Sequence, residues 1–365
     1  MNVGPANLRW IYVLGLISVL FYAADRYLIP WGPAPAVDAA LQAARLMAEA
    51  IDTLKPCAKE RVVIIDPSTD LNRTALIGLE DSPITTSLGQ LEAKRTAANP
   101  NFAGCLVRML EEAGVGRGDA VAVGASSSFP GMILATLAAV RAIGASPVVI
   151  SSLGASNWGA NNPAFTQLEI LDCLRSAGLF DARPAALAVG GVNDDGTDMS
   201  EAGRAFLREK IRAAGYPVIE EPDLAANVRA RMSVYEAGAA GKRIAAFVNV
   251  GGSWANMGVD PGILELRPGL TEVKTIPPPG KRGVIQEMAS RGIPVIHLLF
   301  IRGLAERCGL PWDPVPLPAP GAGEGSKGGS RAGSVRLVLI LAYIVLAVSV
   351  LARLGFQGLS TGPKK

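Results

Sequence analysis

Residues 119–152 read DAVAVGASSSFPGMILATLAAVRAIGASPVVISS, and the order of elements in them predicts the type of fold. The apolar runs Asp119–Gly124 and Pro147–Ser152 have the length and composition of buried strands. A long apolar helical run, Pro130–Ile143, lies between them, and proline suits the first position of a helix. Strand, helix and strand in this order predict a βαβ unit with parallel strands and a right-handed crossover.

The same alternation extends over the central part of the chain, residues 37–318. We therefore predict an α/β fold, a mostly parallel sheet covered by helices on both faces and Rossmann-like in layout. The further predicted strands are Arg61–Asp66, Thr74–Leu79, Ala185–Gly190, Pro217–Glu220, Ile244–Val250 and Pro294–Phe300. The further predicted helices are Val37–Leu54, Leu88–Ala113, Pro163–Ala177, Met199–Ala214, Leu224–Ala237 and Gly283–Ser290.

An excess of apolar residues at both ends gives the chain a mean hydropathy of +0.30. The uncharged runs Trp10–Ala24 and Leu337–Ala352 fall a little short of the roughly 20 residues of a membrane-spanning helix. The arginines beside them, Arg9, Arg336 and Arg353, are able to snorkel to the interfaces and lengthen the spans. We therefore predict one transmembrane helix at each end.

This interpretation divides the chain into an N-terminal transmembrane anchor (1–30), the α/β domain (37–318), a Pro/Gly-rich linker (319–334) and a C-terminal transmembrane helix (335–356). It places the protein in the inner cell membrane with two spans. The globular domain is expected outside the cytoplasm, because the first segment is similar to a signal anchor. A cleaved signal peptide is the alternative, but Tyr22 stands where cleavage requires a small residue.

Charge and cysteine content limit the possible partners. The net charge of +3 is concentrated at the two ends, and the near-neutral central domain disfavours nucleic acid. The cysteines lack metal-ligand spacing, and the sequence predicts neither a metal nor a cofactor. They either form up to two disulfides outside the cytoplasm or are buried free thiols, and the sequence does not pair them. The four cysteines are Cys57, Cys105, Cys173 and Cys308.

A run of three serines, which includes Ser126 and Ser128, joins the first strand of the βαβ unit to its helix. The free amides of a helix N-terminus favour an anion there. The run also approaches the G-x-S-x-G nucleophile turn, with serine in place of the last glycine. A serine nucleophile needs a base, and His297 is the only histidine. Ser126, Ser128 and His297 are therefore candidate catalytic residues, while an anion-binding turn or a purely structural turn are the alternatives.

Two further loops of similar composition follow predicted strands: SLGASNWGANNPAFT (152–166) and NVGGSWANMG (249–258). Their amides, glycines and tryptophans suit a polar ligand, although turns that cap the next helix explain them as well. Because parallel strands end at one edge of a sheet, we expect Ser126, Trp158 and Ser253 to lie on one edge. The candidate ligand-binding residues are Asn157, Trp158, Asn161, Asn162, Gly251, Gly252, Ser253 and Asn256.

The segment EDSPITTSLGQLEAKRT, residues 80–96, adds two basic side chains. Ser87 and Gln90 have the spacing of a helix capping box. Lys94 and Arg95 either meet an anionic substrate or lie on a solvated helix face.

Five blocks of the chain resemble the bacterial poly-gamma-glutamate system protein family. They are LIGLEDSPITTSLGQLEAKRTAANPNFA (76–103), the two loops 152–166 and 249–258, KRGVIQEMASRGIPVIHLL (281–299) and GLPWDPVPLP (309–318). The resemblance implies an accessory membrane protein in the synthesis, export or anchoring of this polymer, a capsule or released product of the bacterial cell envelope. It implies as partners the polymer or its precursors, the membrane, and the ligase and membrane subunits. A serine-dependent hydrolase or transferase acting on the polymer is the alternative, so whether the protein is an enzyme stays open.

Overall fold

The fold is described from a computed structural model. It divides into two compact units, Asp38–Ser326 and the terminal segments Met1–Val37 with Lys327–Lys365. Half of the predicted linker 319–334 lies outside the described residues, because 323–330 are not among them. The described residues are 5–28, 35–181, 183–322 and 331–359.

A six-stranded sheet forms the centre of the larger unit, in the order β5–β2–β1–β6–β8–β7. All neighbours in it are parallel except β7 and β8, which are antiparallel. The strand order reverses between β1 and β6, which makes this the switch point of the sheet. In chain order the strands are β1 (Ala120–Ser126), β2 (Ser146–Ser152), β3 (Asn161–Asn162), β4 (Phe165–Thr166), β5 (Pro184–Ala188), β6 (Ile244–Val250), β7 (Gly269–Thr271) and β8 (Val295–Leu298).

Helices cover both faces of this sheet. Successive side chains of a strand point to opposite faces, and apolar side chains on both faces need to be buried. In β1, Val121 and Val123 join a core that includes residues of α2, α4, α5 and α11. Ala120 and Ala122 join a second core, with residues of α8 and α10. The helices are α1 (Pro5–Ala23), α2 (Pro35–Glu60), α3 (Leu91–Ala97), α4 (Asn101–Glu112), α5 (Pro130–Ile143), α6 (Gln167–Ser176), α7 (Glu201–Ala214), α8 (Leu224–Ala239), α9 (Trp254–Met257), α10 (Val284–Ser290), α11 (Ile301–Cys308) and α12 (Arg331–Leu359).

The mostly parallel sheet covered by helices is confirmed, and so is the βαβ unit of β1, α5 and β2. Several predicted elements are wrong. The segments Arg61–Asp66 and Thr74–Leu79 are not strands, and each contains or adjoins residues with positive φ that interrupt an extended chain. Pro217–Glu220 makes only an isolated bridge to β5. The predicted helix Leu88–Ala113 is two helices, α3 and α4, because Pro100 disfavours helical backbone at the residue before it.

The predicted flanking transmembrane helices are also wrong. Both terminal segments are helical, as α1 and α12. Over the part of the chain that the structure describes, no helix combines the length and apolar character that crossing a membrane requires. The uncharged runs Trp10–Ala24 and Leu337–Ala352 stay below the roughly 20 residues of a span. The assignment to an inner membrane with two spans is overturned by the same finding.

All four cysteines form disulfides, which decides between the two alternatives that the sequence left open. Cys57 of α2 is bonded to Cys173 of α6, with Cα atoms 6.3 Å apart. Cys105 of α4 is bonded to Cys308 of α11, with Cα atoms 5.9 Å apart. Both bonds therefore join helices that are far apart in sequence.

Candidate functional site

A pocket opens at the carboxyl ends of β1 and β6, where the strand order of the sheet reverses. Parallel α/β sheets bind ligands at such points, because the loops on either side diverge and leave a crevice. The cavity has a volume of about 440 Å³. We call it the serine–lysine pocket after four of its lining residues, Lys94, Ser126, Ser128 and Ser156.

Lys94 of α3 is the most unusual of these residues, since its side chain is only 4% exposed. Its Nζ atom donates to the Ser128 carbonyl oxygen at 2.5 Å and to the Ser156 hydroxyl at 2.7 Å. It also lies 3.7 Å from the centre of the Phe129 ring. Burial lowers the pKa of Lys94 to about 7, because the charged ammonium loses its hydration. At neutral pH the amine is therefore partly uncharged.

The serine hydroxyls form a connected network beside this amine. The Ser126 hydroxyl donates to Ser128 Oγ at 3.1 Å, and the Ser128 amide donates to Ser126 Oγ at 3.3 Å. The Ser156 amide donates to Ser128 Oγ at 3.0 Å. The serine turn after β1 thus fixes the backbone of the loop after β2, which carries Ser156. This coupling follows from the sheet register, in which Ser126 pairs with Ser152.

The rim of the pocket carries a basic group and aromatic surfaces. The guanidinium of Arg302, an exposed residue of α11, lies 4.7 Å from the centre of the Trp312 ring. Trp254 and the largely exposed Phe300 line the same opening. The acidic residue on the rim, Asp198, accepts from the Val192 amide at 3.1 Å. The opening therefore suits a ligand with both a flat or apolar part and an anionic group.

His297 is not brought to the serines. It lies on β8, the strand between β6 and the edge strand β7, and is 3% exposed. Its Nδ1 is 3.0 Å from Asn249 Nδ2, and burial lowers the pKa of His297 to about 4. Asp313, an acid near the C-terminal end of the α/β domain, forms a bidentate ion pair with Arg95 and not with His297. The base expected from the sequence therefore does not line the pocket.

The amides of the second loop mainly bind protein backbone. Asn161 is fully buried, accepts from the Leu79 amide at 2.8 Å and donates to the Leu79 carbonyl at 2.9 Å. Asn157 accepts from the Gly89 amide at 3.0 Å and donates to the Glu80 carbonyl. These bonds hold the segment that leads into α3, so both asparagines position Lys94.

Trp158 and Asn162 line a different cavity, of about 410 Å³, together with residues 63–66, 68–69 and 75–80. Trp158 has a positive φ of 63°, and its amide donates to the Leu79 carbonyl at 2.8 Å. Asn162 accepts from the Ala164 amide at 3.0 Å in a local turn. Of the three residues expected on one edge, Ser126 and Ser253 share a pocket and Trp158 does not.

The third loop does reach the serine–lysine pocket. Gly252 and Ser253 line it, and a Cβ atom built at Gly251 would lie 2.9 Å from Ser126 Cβ. Asn256 is buried and donates to Asn249 Oδ1 at 3.0 Å, which continues the chain of amides to His297. Its side chain packs closely against Gly124 of β1, and Asn256 is not among the residues that line the pocket.

Sequence reasoning missed Ser156 and Arg302 and left Lys94 undecided. The position of Ser156 in the sequence could have identified it. Ser156 lies four residues after β2, and β1, the parallel neighbour of β2, ends in the serine turn, so both loops lie at the same edge of the sheet. Arg302 similarly follows the end of β8, beside β6. Lys94 shows no such signal, because its burial depends on how α3 packs against the two loops.

Comparisons with family models, with curated proteins and with solved structures find no match for this chain.

Proposed function

We propose that this protein is an accessory component of poly-gamma-glutamate production and holds a segment of the polymer in the serine–lysine pocket. The observation that carries the proposal is that all five blocks with the family resemblance contribute residues to this one pocket. One residue from each block, in chain order, is Lys94, Ser156, Ser253, Leu299 and Trp312.

The chemistry of the pocket supports a ligand rich in carboxylate and amide groups. Lys94 and Arg302 offer two basic groups at different depths, and the serine hydroxyls offer donors and acceptors to an amide. Trp254 and Trp312 offer flat surfaces to the methylene part of a glutamyl residue. The rest of the central domain is near neutral, so recognition belongs to the pocket and not to a broad basic surface.

The proposal predicts that the purified full-length protein binds short γ-linked glutamate oligomers, measured by isothermal titration calorimetry. Replacing Arg302 by Gln removes one exposed ion pair, worth about 1 kcal/mol, and should weaken binding about fivefold. Affinity should also fall as the pH rises above about 7, because Lys94 loses its charge. Arg229→Gln is the matched control, since Arg229 is an exposed arginine of α8 outside the pocket.

Specificity provides the decisive comparison. Oligomers of α-linked glutamate carry the same charge with a different backbone, so they should bind clearly less tightly. No binding of the γ-linked oligomer, or equal binding of both, would contradict the proposal. An equal loss in Arg302→Gln and Arg229→Gln would show that the interaction is only a general charge effect.

A further inference from the structure

The contact between Lys94 and Ser156 has the geometry of a base and a nucleophile. The Nζ and Oγ atoms are 2.7 Å apart, which is the distance at which a proton passes between two such groups. Both side chains are almost fully buried, yet both line the serine–lysine pocket. A ligand in this pocket therefore reaches them while bulk water is largely excluded.

The N–H bonds and the lone pair of a neutral Lys94 amine match the two contacts of its Nζ atom. It carries two N–H bonds and one lone pair. An N–H remains on the Ser128 carbonyl oxygen at 2.5 Å, which leaves the lone pair for the Ser156 hydroxyl proton. Burial without an acidic partner favours the neutral form, so the pKa of about 7 is consistent with a base at neutral pH.

Ser156 is distinguished from the other two pocket serines by its contacts. The hydroxyls of Ser126 and Ser128 bond to each other, and Ser128 Oγ also accepts from the Ser156 amide. The Ser156 hydroxyl is the one that Lys94 Nζ contacts. Ser126 and Ser128 therefore act as positioning residues, which fix the loop that presents Ser156.

We propose that Ser156 is an acyl-transfer nucleophile and Lys94 its general base, acting on an amide bond of the ligand in the serine–lysine pocket. Only the identity of the substrate, a γ-glutamyl amide, rests on the proposed function. The chain would then be a serine–lysine amidohydrolase or transferase as well as a binding protein.

The reaction balances with these two residues and water. Ser156 Oγ attacks the amide carbonyl carbon and passes its proton to Lys94 Nζ. The C–N bond breaks, the leaving nitrogen takes that proton, and an ester links the acyl group to Ser156. Water, or the amine of another chain, then attacks the ester and gives its proton to Lys94. Lys94 returns the proton to Ser156 Oγ as the ester bond breaks.

A fluorophosphonate probe tests the pair without any assumption about the substrate. The purified full-length protein should become covalently labelled, and peptide mass spectrometry should place the label on Ser156. Ser156→Ala should abolish this labelling, and Lys94→Met should slow it roughly 10³-fold or more. Ser290→Ala and Lys274→Met change exposed residues outside the pocket and should label at the wild-type rate.

The pH profile separates a base from a merely structural lysine. The labelling rate should rise with pH through about 7 and then level off, because only the neutral amine accepts a proton. A structural lysine would leave the rate following the intrinsic reactivity of a serine, with no plateau. Circular dichroism of the folded variants should match the wild type, and Lys94→Arg, which keeps the charge but remains protonated, should also be inactive.

Hydrolysis of γ-linked glutamate oligomers, followed by mass spectrometry, gives the second measurement. Binding of the oligomer without cleavage, together with no labelling of Ser156, would overturn this inference and leave the proposed function intact. Labelling of Ser156 that depends on Lys94, without oligomer binding, would support the inference while the proposed function fails. Label on another serine, or wild-type labelling in Lys94→Met, would refute the assignment.

Discussion

At the scale of single residues, Lys94 imposes a cost on folding. An ammonium group prefers water to an apolar surrounding, and desolvation lowers the pKa of Lys94 from 10.5 to about 7. Between these two pH values the unfolded chain binds more protons than the folded chain. The free energy of unfolding therefore increases with pH across this window, by up to about 1.4 kcal/mol per pH unit from this one group.

We expect Lys94→Met to remove this cost, because methionine fills a similar space without a charge. The variant should unfold at higher denaturant concentration than the wild type at pH 6, and the difference should shrink steadily towards pH 10.5. Urea unfolding followed by circular dichroism at several pH values measures it. A variant that is less stable at every pH would mean that the two hydrogen bonds of Lys94 outweigh its desolvation.

The residues of the pocket show how far sequence reasoning reaches at this scale. Strand-end position alone identified Ser126, Ser128 and Ser253, since a parallel sheet gathers its strand ends at one edge. Strand-end position could not identify the general base that contacts these serines. His297 was the predicted base because it is the only histidine in the sequence, yet its ring hydrogen-bonds Asn249 at the paired position of β6. Side-chain direction and helix packing decide which titratable group reaches the serines.

At the scale of elements, the end of β6 must bend sharply to let the serine turn of β1 approach. Gly251 makes this bend with φ of 83°, a region that residues with a side chain rarely adopt. A Cβ atom built there would lie 2.9 Å from the Cβ of Ser126. Its neighbour Gly252 has an ordinary φ, and its nearest contact would be a flexible side-chain atom at 3.6 Å.

Gly251→Ala should therefore destabilise the fold by at least about 1–2 kcal/mol, the cost of a left-handed conformation, with the contact to Ser126 adding to it. It should also slow fluorophosphonate labelling, because it displaces the turn that positions Ser156. Gly252→Ala is the matched control and should unfold within about 0.5 kcal/mol of the wild type. Equal unfolding midpoints for the two variants would show that the turn relaxes without strain.

The elements themselves divide clearly into predictable and unpredictable ones. The βαβ unit was predictable because its strands are apolar on both faces and Pro130 begins α5. The segments 61–66 and 74–79 have equally apolar composition, but their backbone groups bond to loops and side chains in place of a neighbouring strand. Leu79, for example, bonds to the Asn161 side chain. β7 is only three residues long, too short for a periodic pattern.

At the scale of the whole molecule, two disulfides close long segments of chain over one face of the sheet. Cys57–Cys173 spans 116 residues and Cys105–Cys308 spans 203. All four half-cystines belong to or pack against the core on that face. Four cysteines allow three pairings, so sequence could not choose between them. The choice follows from the packing of α2 with α6 and of α4 with α11.

The two disulfides should differ in their access to a reductant. Cys105 and Cys308 are 4% and 3% exposed, whereas Cys57 is only half-buried. Thiol–disulfide exchange requires an attacking thiolate to reach a sulfur atom, so under native conditions dithiothreitol should reduce Cys57–Cys173 first. Alkylation at increasing times, followed by peptide mass spectrometry, measures the order of reduction. If Cys105–Cys308 were reduced first, the burial of these two cysteines would be contradicted.

Loss of either disulfide should lower the stability of the larger unit by about 2–5 kcal/mol, because each one restricts a long loop of the unfolded chain. The paired replacements Cys57→Ala with Cys173→Ala, and Cys105→Ala with Cys308→Ala, test this in urea unfolding. Each double variant should lose further stability when dithiothreitol is added, since one bond is left to reduce. The chain with all four cysteines replaced is the control and should not respond to the reductant. Alkylation should first show that dithiothreitol has reduced both bonds of the wild type. If the wild type is then as stable as without dithiothreitol, the disulfides contribute nothing to the stability of the fold.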